Sequence, residues 1–156
     1  MDILSVKKAL SFLLESNQKI FARTEKYLNM QDPTFTLEFY KKDSDIKKEH
    51  SRLISFSTKL VSDIDRADGY VSILSGHLCQ ADGEMLIQII SVLSDVLESY
   101  YLWRSSALCF IENSEKIFSD QNGIRYSTLI SETRALLVAT GVFSDKLANT
   151  IKSIQI

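Results

Sequence analysis

"GEMLIQIISVLSDVLESYYLWRSSALCFIENSEKIFSDQ", residues 83 to 121, decides how the whole chain folds. Leu86, Leu93, Tyr100 and Ala107 recur every seven residues. Beside them run Ile89, Val96, Trp103, Phe110 and Ile117, and one place further on Ile90, Leu97, Ile111 and Phe118. Seven residues are close to two helical turns, so these rows merge into one wide apolar stripe on a helix. At the helical rise per residue, about 35 such residues span roughly 50 Å. A coiled-coil seam is narrower, and a stripe of this width touches two or three neighbouring helices. The segment is therefore predicted to be the central helix of a bundle.

The same periodicity extends outward in both directions. Upstream, Ile46, Leu53, Leu60, Ala67 and Leu74 form one row and Ser57, Ile64, Val71 and Leu78 its neighbour, which begins with His50. This predicts a helix from about Ser44 to Cys79. Near the N-terminus, Asp2 can cap a helix whose rows are Val6, Leu13, Ile20, Tyr27 and Leu14, Phe21, Leu28. That helix must end before Pro33, because proline disfavours helical geometry in the residue before it. Downstream of the turn signal "DQNG", residues 120 to 123, come Leu129, Leu136, Phe143 and Thr133, Thr140, Leu147, Ile154. Gly141 and Ser144 could end one helix and cap another, so this region is one helix or two.

Composition agrees with long helices. One proline and five glycines in 156 residues permit few sharp turns, whereas a β or α/β fold of this length needs many. The chain has the size of one domain and can bury roughly 70% of its unfolded surface. The expected architecture is all-α: a single domain over residues 1–156, an antiparallel up-and-down bundle of four long helices, or five if the last divides.

The longest uncharged stretch, Gly69 to Ala81, is too short to cross a bilayer, and the N-terminus lacks the basic and apolar regions of a signal peptide. These features predict a cytoplasmic protein without a membrane span. Cys79 and Cys109 fall on separate predicted helices and are expected to be reduced, buried thiols. Charge is uneven: residues 53 to 100 hold two basic and seven acidic groups, net −5, against a total of −2. No cationic face emerges, because the lysines of "YKKDSDIKKEH" are interleaved with acids, and nucleic acid is not an expected partner.

Candidate chemistry is sparse. "SGHLCQADGE", residues 75 to 84, gathers His77, Cys79, Asp82 and Glu84, but residues two apart on a helix point in different directions and cannot share an ion. Asp82 instead suits the cap of the central helix, with Gly83 and Glu84 in its first turn. His50 reads as a histidine at the end of an apolar row. The residues three before His50 and His77 are Lys47 and Leu74, which excludes the paired Glu-x-x-His motifs of di-iron bundles. Phosphate-binding, dinucleotide-binding, nucleophile-elbow and Cys-x-x-Cys motifs are also missing. "DIDRAD", residues 63 to 68, reads as a solvated acidic face. No catalytic residue, metal ligand or cofactor is predicted.

Two stretches suggest binding instead. In "YYLWR", residues 100 to 104, Tyr100 and Trp103 lie on the core stripe, while Tyr101 lies off it beside Arg104, and tyrosine and arginine are favoured at binding hot spots. In "PTFTLEFYKK", residues 33 to 42, Phe35, Leu37 and Phe39, followed by Tyr40, alternate with polar residues. A period of two suits a strand, yet no other segment offers a strand partner. Either Phe35 and Phe39 begin the second helix, or the segment is an extended arm. The expected function is non-enzymatic binding of another protein, as an adaptor, a secretion or assembly chaperone, or an inhibitor, with a homodimer as one form of partner. The alternative is a small-molecule or lipid-binding bundle with a pocket near the central aromatics.

Overall fold

A computed structural model describes residues 3–31, 43–80, 83–117 and 126–154. They form four helices: α1 (Ile3–Met30), α2 (Asp43–Gln80), α3 (Gly83–Lys116) and α4 (Tyr126–Ser153). Each helix packs on the next, and α4 closes the ring against α1. Side-chain pairs give the direction of each neighbour. Arg23 meets Asp63 and Phe12 meets Tyr70, Asp68 meets Arg104 and Ser57 meets Ser114, Tyr100 meets Phe143 and Asn113 meets Glu132. In every case the number rises on one helix as it falls on the next, so all neighbours are antiparallel. The bundle is the up-and-down, four-helix form.

Most described members of the predicted rows form the core, while Leu14, Phe21, Leu28 and Ile46 are half-buried, His50 is exposed, and the side chains of Leu78, Leu86, Ile89 and Phe118 lie outside the described residues. Leu93, Tyr100 and Ala107, with Val96, Trp103, Phe110 and Ile117, are buried on α3. Leu53, Leu60, Ala67 and Leu74 answer them from α2, Val6, Leu13, Ile20 and Tyr27 from α1, and Leu129, Leu136, Phe143 and Leu147 from α4. The third row of α3 turns out to lie at the edge of the core. Leu97 and Ile111 are half-buried and Ile90 is exposed, because that row points along the flank toward α2 rather than into the centre.

One buried row escapes an apolar pattern. Leu10, Asn17 and Thr24 of α1 and Gln31, just past its end, recur at seven and face Thr133 and Thr140 of α4, all of them buried. Asn17 Nδ2 donates to the Thr140 carbonyl at 2.8 Å and to Ser144 Oγ at 2.6 Å, and Gln31 Nε2 donates to Thr133 Oγ1 at 3.1 Å. The hydroxyls of Thr24, Thr133 and Thr140 each donate to the carbonyl four residues back, so these small side chains are satisfied within their own helix.

Gly141 belongs to this seam. It does not end a helix; α4 is continuous through it, and a Cβ there would sit 3.3 Å from Cε2 of Phe21. Its missing side chain makes room for that ring. Gly83, by contrast, takes φ of +60°, a left-handed conformation open to glycine at little cost, and so marks the junction of α2 and α3 rather than an ordinary first turn. Two further expectations are corrected. Cys79 and Cys109 are free but exposed, because both lie off the apolar rows. Asp63 is 3% exposed and pairs with Arg23, so only part of "DIDRAD" is solvated.

Candidate functional site

The bidentate bridge between Arg104 and Asp68, with N–O distances of 3.1 Å from both Nε and Nη2, fixes which flanks of α2 and α3 meet. Residues three, four or seven positions away on a helix share a flank. On α3 that flank carries Leu97, Tyr101, Leu108 and Ile111, with Ile90 a further two turns back. On α2 it carries Val61 and Ile54. Tyr101 is 61% exposed, Ile54, Val61, Ile90 and Leu108 are also exposed, and Leu97 and Ile111 are half-buried. The result is an apolar band along the outside of two helices, crossed by one ion pair.

Tyr101 lies at the middle of this band, one turn from Arg104, as the sequence suggested. Arg104 is held by Asp68, which raises its pKa by hydrogen bond and by charge, so its guanidinium anchors α3 to α2. Phe35, Leu37, Phe39 and Tyr40 lie outside the described residues. Ile90, Leu97 and Ile111 were read as part of the core stripe, while Ile54, Val61 and Leu108 were missed because single exposed aliphatic residues carry no sequence signal of their own. The Arg104–Asp68 and Ser57–Ser114 pairings reveal that they share a face. Leu102 projects from the other flank of α3, toward α4, where Val138 and Val142 are also exposed. That patch is shorter and contains no aromatic residue.

Other polar groups form closed clusters. At the end of the bundle where α1 stops and α4 begins, Glu49 is buried while its neighbour His50 is exposed. Tyr126 donates its hydroxyl to Glu49 Oε2 at 2.6 Å and Arg52 donates to Oε1 at 3.2 Å. Nearby, burial pushes the Tyr27 phenol well above its ordinary range, and the Glu49 charge adds to this. Tyr27 stacks on Phe56 with centroids 4.4 Å apart, and both rings meet the edge of Phe110. On the α3–α4 flank, Asn113 hydrogen-bonds Glu132, whose carboxyl is raised by desolvation, and Cys109 Sγ lies 4.0 Å from the same carboxylate. Among the described residues, no three His, Cys, Asp or Glu are placed to hold a metal ion.

Tyr100, Trp103 and Phe143 pack against one another with centroids 5.9 to 6.2 Å apart, and Trp103 and Phe143 are essentially inaccessible. A shallow depression of about 240 Å3 lies elsewhere, between the start of α3 and the end of α4. It is polar, with Asp95, Lys146 and Asn149 in its lining. No described helix is long and apolar enough to cross a membrane.

Comparison of the chain with protein-family models, with curated proteins and with solved structures yields no match.

Proposed function

We propose that this bundle is a non-enzymatic protein-interaction module, of the adaptor, assembly-chaperone or inhibitor kind, acting through the outer face of α2 and α3. The observation that carries this reading is the exposure of Tyr101 among apolar residues gathered on the outer flanks of α2 and α3. An aromatic side chain offers a large contact area and a hydroxyl for a polar partner, and such residues dominate interface energetics when a partner excludes water from around them. Exposed apolar surface gathered on one face marks interaction sites more often than the same residues scattered singly. The Arg104–Asp68 bridge crosses the band and links the two helices there, which supports a surface formed before a partner arrives.

Photo-crosslinking in the native host tests this. A photoreactive residue in place of Tyr101 is expected to give a discrete protein adduct, and Leu108→Ser is expected to reduce its yield. The same probe in place of Glu15, which is exposed on α1, is the control. Absence of an adduct at Tyr101, or the same adducts from both positions, would refute the assignment.

A further inference from the structure

The rim of the α2–α3 band narrows the chemistry of what it binds. Asp65 lies one turn after Val61 and close enough to Arg104 to raise its pKa, and Glu98 lies one turn before Tyr101. Both are exposed. Glu112, one turn after Leu108, holds Lys116 at 3.4 Å. The cation within the band, Arg104, is already committed to Asp68. Lys47 stands beyond Ile54, at the far end. From Val61 to Leu97 the apolar surface is therefore bordered by the exposed carboxylates of Asp65 and Glu98.

We infer that the α2–α3 face receives a cationic amphipathic helix of a partner protein, its leucine-like side against Tyr101, Leu108 and Val61 and its lysines or arginines against Asp65 and Glu98. The inference rests on the binding role proposed above for this face. A helix laid along a two-helix surface presents anchors at i, i+3, i+4 and i+7, which match a band built from the same spacings. Opposite charges at the rim steer the encounter and suppress wrong partners. The same rim disfavours a second copy of this chain, because a two-fold contact centred on Tyr101 would set the acidic border of one copy against that of the other. It also disfavours an anionic membrane surface.

The test uses dye-labelled designed helical peptides with one shared leucine face, flanked either by lysines or by glutamates, titrated into the full chain by fluorescence anisotropy. The lysine peptide is expected to bind at least about tenfold more tightly at low salt, with the ratio shrinking as salt screens the rim. Asp65→Lys with Glu98→Lys is expected to reverse the preference, and Tyr101→Ser with Leu108→Ser to remove binding of both peptides. Circular dichroism melting confirms that each variant folds. Equal binding of both peptides, lost in the Tyr101→Ser and Leu108→Ser variant, leaves the face standing and overturns the cationic partner. Binding that survives this variant, or no binding at all, overturns both readings. Concentration-dependent dimers in sedimentation that Tyr101→Ser abolishes would make a second copy the occupant and overturn the inference.

Discussion

Asp63 is a carboxylate almost removed from water, and Arg23 is its direct partner, with Arg66 and Lys59 adding weaker charge stabilisation. Its side chain is 4% exposed, whereas that of Arg23 is 31% exposed and reaches in from the edge of the α1–α2 seam. Desolvation raises the Asp63 pKa above the ordinary carboxyl value of 3.8, and the charge and hydrogen bond of Arg23 only partly oppose this. Arg23→Met keeps most of the aliphatic stem and removes the counter-charge. It should cost about 3 kcal/mol, the lower end of what stripping a buried charge of its partner costs, since water can enter where the guanidinium was. Asp63→Leu leaves Arg23 near solvent and removes the desolvation penalty, so it should cost no more than about 1 kcal/mol. The double variant should be close to the parent or more stable.

The pH dependence has a defined sign. A carboxyl with a raised folded pKa is protonated more readily in the native state, so the native state binds more protons and stability falls as pH rises from 3.8 through the raised value. Removing Arg23 raises that value further. The gap between parent and Arg23→Met should therefore be widest at neutral pH and shrink on acidification as Asp63 takes up its proton. Urea unfolding followed by circular dichroism at several pH values measures all four corners of the cycle. Equal costs for Arg23→Met and Asp63→Leu, or a gap that widens toward low pH, would refute this account of the pair.

Three other outcomes follow from packing. Leu93→Ala should cost about 2 to 5 kcal/mol, because Leu93 is buried in α3, while Ser94→Ala, one place on and exposed, should stay within about half a kcal/mol; chemical denaturation of both variants checks the face. Gly69→Ala and Gly76→Ala should each stabilise by about 1 kcal/mol, since both glycines lie inside α2 and an added Cβ meets nothing within 4 Å; thermal melting should rise, and a fall would show a constraint on α2 not visible in its contacts. Tyr126→Phe should cost about 1 to 3 kcal/mol by leaving Glu49 Oε2 without its 2.6 Å donor, read by urea unfolding.

The helices were legible because their core rows are apolar at a constant spacing. Val96, Trp103, Phe110 and Ile117 could be placed in the core without coordinates, and the seven-residue repeat also gave the direction of each stripe. Where the chain uses polar residues inside, the same reading had nothing to follow. Asn17, Thr24 and Gln31 continue the row of Leu10 but look like solvent residues, and their burial becomes intelligible only opposite Thr133, Thr140 and Ser144 of α4, more than 100 positions away. Gly141 misled for a related reason. Glycine can end a helix or admit a neighbour, and the Phe21 ring that decides between these is contributed by α1. Tyr101 was recognisable because it stands off the stripe beside Arg104. Val61 and Ile54 were not, since their membership of the band requires knowing which flank of α2 faces α3.

The two long seams of the bundle invert the usual assignment of polar and apolar residues. Between α1 and α4 the interior is lined by hydroxyls and amides whose hydrogen bonds constrain partner and register, and such bonds penalise any slip that would leave a buried amide unpaired. Around α2 and α3 the interior is closed by aromatic and aliphatic packing, with the Ser57–Ser114 hydroxyl pair between them, and apolar residues continue onto the outer surface. Aliphatic side chains left in water gain nothing for the isolated fold and raise its tendency to associate. Their placement around the Arg104–Asp68 bridge, on the side of the bundle away from the Asn17–Thr140 and Gln31–Thr133 bonds, separates whatever covers them from the contacts that hold α1 to α4. A module that binds by presenting a preformed surface needs this separation, because each contact made outside then leaves the interior unchanged.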